Sequence, residues 1–246
     1  MNPIEFVDNV VEKYSDEISN SIARTSVHRG AARALPVRVA VQSWDLVPLD
    51  SVTAAFMFAE RKPCILNFAS YKHPGGGFLK GMTTQEESLC AVSTLYPVIA
   101  HFKDFYSTNQ TMLNNAMYTN AALFSEDILF FADEGSVSKF DVLTCAAPNF
   151  GPGKRYKSVT ESENYKYLEE RIKFMFAVAS ANGVRCLIAG AWGCGVFKQD
   201  PRDVAKLMAY YGRRSGVEKI VFAIPDYNSY NYKAFEDVLS REGLLG

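Results

Sequence analysis

Apolar side chains recur along the chain with two spacings, one typical of helices and one typical of strands. Ile4, Val7 and Val11 fall on one side of a helical wheel, so the N-terminal stretch is predicted to be a helix packed against the rest of the chain. Asp200 followed by Pro201 has the form of an N-cap and a first helical residue. The predicted helices cover residues 3–24, 51–60, about 85–105, 161–181, a segment that begins at Asp200, and about 229–241.

Short apolar runs bounded by turn residues predict the strands. Residues 63–70 and 184–191 are continuous apolar runs, which are typical of strands buried on both faces. Residues 127–132 and 140–146 are separated by a short polar segment and predict a hairpin. The segment PNFGPGKRYKS (148–158) has the composition of a loop. The predicted strands cover residues 37–43, 63–70, 127–132, 140–146, 184–191 and 219–224.

Strands alternate with helices along most of the chain. This order predicts the α/β class, with a mixed central sheet between two helical layers in a three-layer α/β/α arrangement. No repeat, low-complexity tract or linker divides the chain. We therefore expect one domain over residues 1–246, with residues 1–33 as an N-terminal helical extension packed on it. In such sheets, ligands bind where strands end and loops lead into helices.

Composition and charge exclude several other classes. The chain has 246 residues, of which 48% are hydrophobic and 22% are charged, as in soluble globular proteins, and no apolar run approaches the ~20 residues of a membrane span. The chain has 26 Lys and Arg residues against 27 Asp and Glu residues, so it lacks the basic excess typical of DNA-binding proteins, and direct DNA binding is not expected. Scattered cysteines and an N-terminus unlike a signal peptide predict a reducing, cytoplasmic location.

Two glycine-rich loops stand between a predicted strand and a predicted helix. The first contains Gly75, Gly76 and Gly77, and the second is Gly193-Cys194-Gly195-Val196-Phe197. Glycines let backbone N–H groups point into one concavity, so each loop suits a phosphate or diphosphate. Neither loop matches the P-loop or the GxGxxG dinucleotide motif, which speaks against a redox enzyme. The alternative interpretation is that the glycines of each loop merely permit a tight turn.

Two adjacent acids follow the first loop. Gln85, Glu86 and Glu87 begin a predicted helix, and a carboxyl beside a phosphate site suits acid/base chemistry. Thr84 with Glu87 also fits a capping box, which would make the acid structural. Neighbouring residues of a helix point about 100° apart, so the two carboxyls are not expected to flank one bond. If both act, one transfers the proton and the other holds a sugar hydroxyl.

The segment NFASYKHPGGGFLKGMTTQEESLC (67–90) resembles the signature of bacterial-type poly(ADP-ribose) glycohydrolases: three glycines, a spacer of six to eight residues, and Gln-Glu-Glu. AAPNFG (146–151) and GAWGCGVFKQDP (190–201) resemble two later landmarks of that family, in the same order. The resemblance spans about residues 37–225. It implies a macrodomain-like fold, because the family belongs to the macrodomain superfamily, with ADP-ribose bound at the strand ends.

The resemblance also implies residue roles. Glu87 would be the catalytic acid/base, and Glu86 would hold hydroxyls of the ribose being cleaved. Asp45 stands where many macrodomains have an aspartate for the adenine amino group, and a loop-capping role is its alternative. Phe197 would pack on the sugar or base. The residues implied to bind substrate are Gly75, Gly76, Gly77, Gln85, Gly193, Cys194, Gly195, Val196, Phe197, Asp45 and Asn67.

The implied reaction is hydrolysis of the O-glycosidic bond between two ADP-ribose units, without a cofactor. The implied partners are poly(ADP-ribose), ADP-ribose and ADP-ribosylated proteins, and the chain is expected to be a monomer. His28, His73 and His101 form no ligand-spaced set with the cysteines, so no metal is expected. The same residues would serve a mono-ADP-ribosyl hydrolase, and a macrodomain that binds ADP-ribose without cleaving it is the non-enzymatic alternative.

Overall fold

A computed structural model describes residues 2–31, 35, 43–132 and 135–245. The predicted strand 37–43 lies outside this part of the chain except for Ser43, which begins a strand. The helices are α1 (Pro3–Lys13), α2 (Ser15–Ala23), α3 (Ser51–Met57), α4 (Gln85–Ala91), α5 (Leu95–His101), α6 (Lys103–Thr111), α7 (Phe150–Lys157), α8 (Glu161–Ala181), α9 (Pro201–Gly212) and α10 (Tyr230–Arg241). The strands are β1 (Ser26–Arg29), β2 (Ser43–Val47), β3 (Cys64–Phe68), β4 (Ala121–Phe131), β5 (Val137–Cys145), β6 (Cys186–Ala189) and β7 (Lys219–Ala223).

The strands form a mixed sheet in the order β1-β4-β5-β3-β6-β7-β2. Strand β4 is antiparallel to β1 and β5, whereas β5, β3, β6, β7 and β2 run parallel to one another. Leu66 of β3 lies opposite Leu143 of β5, and Ile65 lies opposite Ile188 of β6. The carboxyl ends of the parallel strands therefore meet at one edge of the sheet.

Alternate residues of the central strands enter two separate cores. Leu66 and Phe222 pack with apolar residues of α8, α9 and α10 on one face. Ile65 and Val221 pack with residues of α1 to α6 on the other. Period-two alternation between two helical layers is what a doubly covered sheet requires. The three-layer arrangement predicted from the sequence is confirmed.

Two predicted helices are divided in the structure. The backbone leaves the helical region at Tyr14 (φ −126°, ψ 33°), which separates α1 from α2 and allows its ring to stack on Phe131 at 5.2 Å between centroids. The stretch 85–105 is interrupted between α4 and α5, where Ser93 bridges to Phe130 and the Thr94 N–H donates to the Leu129 carbonyl at 2.9 Å. Pairing with β4 thus outweighs helical periodicity.

The predicted loop at 148–158 is wrong, because residues 150–157 form α7. Pro152 lies in the first turn, where a residue needs no intrahelical N–H bond. Gly153 allows close packing: a Cβ there would lie 2.6 Å from Met117 Cε. The other helix and strand predictions that fall on described residues are confirmed with shifted ends, and the hairpin of β4 and β5 is confirmed.

None of the described helices combines the length and apolar composition needed to cross a bilayer.

Candidate active site

A cleft of about 690 Å³ opens at the edge where the parallel strands end. Phe68 ends β3 and Ala223 ends β7, while Ala191 follows β6 and Asp50 precedes α3; all four line the cleft. Most of the site residues predicted from the sequence line this cleft together. They are Gly76, Gly77, Gln85, Glu86, Glu87, Gly193, Gly195, Val196 and Phe197.

Gln85 anchors the start of α4 to β3. Its side-chain oxygen accepts the Phe68 N–H at 2.8 Å, and its Nε2 donates to the Leu66 carbonyl at 2.9 Å and to Ser51 Oγ at 3.1 Å. These bonds fix the two following acids relative to the strand end. Gln85 lines the cleft, but its amide is already engaged by the protein, so its main contribution is to hold α4 in place.

Glu86 lies beneath the cleft with 2% of its surface exposed. Its Oε2 accepts the Ser70 N–H at 2.7 Å, and its Oε1 accepts a hydrogen bond from Asn67 Nδ2 at 3.3 Å. Burial is the main cause that raises the pKa of Glu86, the nearby Glu87 adds to the rise, and the bonds from Ser70 and Asn67 oppose it, so that the pKa is about 8. Glu86 is therefore mainly protonated at neutral pH.

Glu87 is 4% exposed and is held from two sides. Its Oε1 accepts the Gly77 N–H at 2.8 Å, and the Thr84 hydroxyl donates to its Oε2. The Thr84 side chain makes no hydrogen bond to the helix backbone. The capping-box interpretation is therefore wrong, since the carboxyl of Glu87 accepts from the Gly77 N–H and the Thr84 hydroxyl and not from the backbone at the start of its helix.

The first glycine loop provides room for the acids. Gly75 and Gly76 have positive φ values of 66° and 58°. A Cβ on Gly76 would lie 2.6 Å from Glu87 Oε1 and 3.0 Å from Glu86 Oε2, so both carboxyls converge on this residue. The Gly76 N–H donates to the His73 carbonyl at 3.1 Å and the Gly77 N–H donates to Glu87. The expectation that these two N–H groups face a phosphate is therefore wrong.

The second glycine loop keeps its donors open. Within the described residues, the N–H groups of Gly193, Gly195, Val196 and Phe197 have no protein acceptor. All four residues line the cleft, and Val196 is 66% exposed. Successive open N–H groups in a turn form a concavity that suits an anion. The diphosphate-binding character predicted for both loops thus fits this loop alone.

Phe197 connects the second loop to a buried pair of tyrosines. Its ring meets that of Tyr118 edge-on, with centroids 6.2 Å apart, and Tyr118 stacks on Tyr71 at 4.2 Å. Cys194 does not line the cleft. Its thiol is half-buried and donates to the Trp192 carbonyl at 3.7 Å, and burial raises the pKa of the Cys194 thiol.

Besides Cys194, three predicted substrate contacts do not line the cleft. Asp45 lies on the edge strand β2 and pairs with Lys219 Nζ at 2.6 Å, so its contact with adenine stays a prediction. Gly75 packs on Tyr96, and Asn67 is fully buried behind Glu86.

Sequence reasoning missed several residues that line the cleft. Asp50 precedes α3 and Asn231 follows β7, and both stand where strands give way to helices. The rule that ligands bind at carboxyl ends of parallel strands could have found these positions once the strands were assigned. Lys80 lies in the spacer between the glycines and the acids, and no spacing signal marks it. Among the described residues, no group of three His, Cys, Asp or Glu side chains could hold a metal ion.

The sheet, the buried carboxyl pair and the open N–H loop together form an arrangement typical of hydrolases that place carboxyl groups next to an anion-binding cleft. Residues 7–133, slightly more than half of the chain, match the family model described as microbial-type PARG, catalytic domain. The chain belongs to this family.

Solved structures of this kind are similar along nearly the whole chain. Poly(ADP-ribose) glycohydrolase (PARG) from Thermomonospora curvata is 26% identical with a TM-score of 0.83, covering 96% of this chain and 97% of that one. The same enzyme bound to the inhibitor ADP-HPD is 27% identical with a TM-score of 0.81 and the same coverage. A PARG variant from Deinococcus radiodurans in complex with ADP-ribose is 26% identical with a TM-score of 0.81, covering 92% and 98%. No curated protein sequence matches the chain significantly.

Proposed function

We propose that this protein is a poly(ADP-ribose) glycohydrolase that cleaves the ribose–ribose O-glycosidic bond and releases ADP-ribose, with Glu87 as the acid/base. The observation that carries the proposal is the convergence of Glu86 and Glu87 on Gly76 in the cleft that the open second loop also lines. Family membership supports it, as do the relatives bound to ADP-ribose and to ADP-HPD.

The geometry suggests how the terminal unit lies. Its diphosphate faces the N–H groups of Gly195, Val196 and Phe197, and the ribose to be cleaved lies over Gly76. Glu86 is protonated and buried, so it is suited to hold a ribose hydroxyl through a hydrogen bond. Glu87 is fixed by Gly77 and Thr84 and is suited to act on the glycosidic oxygen.

Cleavage of the glycosidic bond passes through an oxocarbenium-like state. Glu87 gives a proton to the leaving ribose oxygen, so that the departing chain leaves as a neutral alcohol. The diphosphate of the bound unit, held by the second loop, lies close to the developing cation and stabilises it. Glu87 then takes a proton from the attacking water, which restores the starting state.

Glu87→Gln tests this assignment. The substitution keeps the size of the side chain but removes the transferable proton, so turnover of poly(ADP-ribose) should fall about 10²- to 10⁴-fold. Binding of ADP-ribose, measured by calorimetry, should stay within a few-fold of the wild-type value. Near-normal turnover would remove Glu87 from this role.

Glu86→Gln is the matched comparison, because glutamine resembles the protonated form of Glu86. It should retain more activity than Glu87→Gln. Equal losses in the two variants would contradict the division of roles.

The same assay separates the substrates. We expect release of ADP-ribose from the polymer; release only from a mono-ADP-ribosylated protein would favour a mono-ADP-ribosyl hydrolase, and binding without release would favour a non-catalytic macrodomain.

We further propose a single macrodomain-type unit over residues 1–246, acting as a monomer on ADP-ribosylated proteins in the cytoplasm. Free cysteines, four of them buried, fit a reducing compartment.

A further inference from the structure

Two basic side chains border the acid end of the cleft. His73 lies just before the glycines and Lys80 just after them, and both line the cleft and are exposed. In the portion of the chain that the structure describes, neither has a carboxylate within 4.0 Å. Each is therefore available to a ligand.

The backbone that carries His73 is held in place. Asn109 Nδ2 donates to the Tyr71 carbonyl at 2.9 Å, and Gln110 Nε2 donates to the Lys72 carbonyl at 3.0 Å. The His73 N–H itself donates to Ser70 Oγ at 3.2 Å. The His73 carbonyl accepts the Gly76 N–H at 3.1 Å, so the imidazole extends from a segment whose backbone is held by hydrogen bonds on both sides.

Lys80 also extends from an anchored turn. Its N–H donates to the Gly77 carbonyl at 2.9 Å, and the same glycine donates to Glu87. Phe78 in this turn is 3% exposed and packs against Phe6 and Tyr96. The Lys80 backbone is therefore tied through Gly77 to Glu87, and its side chain extends from a turn next to the acid.

The proposed reaction determines which part of the polymer lies next to Lys80 and His73. The unit bound in the cleft extends from Gly76 toward the second loop, where its own diphosphate finds the open N–H groups. The ribose on the other side of the cleaved bond belongs to the next unit of the polymer. That unit leaves the cleft at the acid end and carries a diphosphate of its own, with negative charges that a cation would attract.

We infer that Lys80, assisted by His73, binds the diphosphate of the polymer unit on the leaving side of the cleaved bond. The inference rests on the proposed function and deepens it, because it names a determinant of substrate choice. A substrate whose leaving group carries phosphate gains this contact, whereas a glycoside of ADP-ribose with a neutral leaving group does not. The contact favours the polymer without taking part in bond cleavage.

The test compares two substrates, poly(ADP-ribose) and an aryl glycoside of ADP-ribose with an uncharged leaving group. Lys80→Gln should lower kcat/KM for the polymer about tenfold, mainly through KM, and leave kcat/KM for the aryl glycoside within twofold. The salt dependence of polymer cleavage should also become shallower, since one fewer counterion is exchanged. His73→Asn should act in the same direction to a smaller extent.

Lys206→Gln is the control, because Lys206 is an exposed lysine of α9 that does not line the cleft. It removes the same charge and should leave both substrates unaffected. If Lys80→Gln and Lys206→Gln behave alike, the inference is overturned. Equal loss on both substrates in Lys80→Gln also overturns it, because Lys80 would then contact the unit being released.

Failure of the proposed function gives a different result. A wild-type protein that binds ADP-ribose but cleaves no polymer would overturn the proposed function, and the inference with it. A wild-type protein that cleaves the polymer, together with an unaffected Lys80→Gln variant, would overturn the inference alone.

Discussion

Gly76 is the residue on which the two acids depend. Its left-handed backbone favours glycine, and the carboxyl oxygens occupy the space where any other residue would place its Cβ. Gly81 has a similar φ of 75°, but a Cβ added there would meet nothing within 4 Å. The two glycines thus separate the cost of backbone strain from the cost of displacing the acids.

Gly76→Ala should lower kcat for polymer cleavage by at least about 100-fold, because the new methyl group must push Glu86 and Glu87 out of position. Gly81→Ala should retain most activity. Both variants should lose about 1–2 kcal/mol of stability from left-handed strain, measured by urea unfolding. An active Gly76→Ala would show that the acids need not approach this residue.

At the residue scale, the sequence pointed to both acids but not to their surroundings. Thr84 and Glu87 have the spacing of a capping box, and only the fold shows that the Gly77 N–H, from the glycine loop, is the backbone donor to Glu87 beside the Thr84 hydroxyl. The surroundings of Asp45 are a second case. Its carboxyl pairs with Lys219 of the neighbouring strand β7, a contact that has no local signal in the sequence.

At the element scale, the ends of helices depend on contacts distant in sequence. The apolar periodicity of 85–105 is real, yet Ser93 and Thr94 pair with β4 and divide it. Strand β1 was missed because it has four residues and pairs at the sheet edge with β4. Long periodic elements such as α8 were predicted closely, since their own pattern suffices.

Helix α1 supports the acid loop from outside the sheet. Phe6 meets Phe78 edge-on with centroids 6.5 Å apart, and Phe78 in turn contacts Tyr96, which packs on Gly75. These rings form a continuous path from α1 to the glycines. The N-terminal helix is thus part of the support of the site.

Phe6→Ala should lower kcat several-fold and the free energy of unfolding by about 1–2 kcal/mol, because the loop loses part of its packing. Val11→Ala, an exposed position of the same helix, is the matched control and should change neither quantity much. Measuring kcat well below the unfolding temperature separates the effect on activity from the effect on stability. If the folded Phe6→Ala protein turns over normally, α1 merely covers the core.

At the scale of the whole molecule, the architecture followed from the order of strands and helices. The alternation predicted a mixed sheet between helical layers, and the site was expected at the strand ends, where the cleft lies. The pairing order of the strands has no local signal, so the sequence did not provide it. The buried Glu86 also affects the molecule as a whole, because its proton is coupled to folding.

Glu86 should make the protein less stable as the pH rises. Its pKa is about 8 in the folded chain against an ordinary value of 4.5, so between these values the folded state keeps a proton that the unfolded state has lost. From about pH 5 to pH 8 this group should remove about 3 kcal/mol of unfolding free energy. Urea unfolding at several pH values measures this loss of unfolding free energy.

Glu86→Gln should abolish this part of the pH dependence, because glutamine does not titrate. The variant should gain stability relative to the wild type as the pH increases. Parallel pH profiles for the two proteins would show that Glu86 does not retain its proton in the fold.

The walls of the cleft come from residues as far apart as Asp50 and Asn231. A chain emerging from the ribosome therefore presents the acids and the first glycine loop well before the loop that follows β6 has been made. During that interval the nascent chain has the carboxyl groups suited to proton transfer. It still lacks the N–H donors of the second loop, which would bind a ligand beside them. Catalytic competence consequently arises late in synthesis, as a property of the completed sheet.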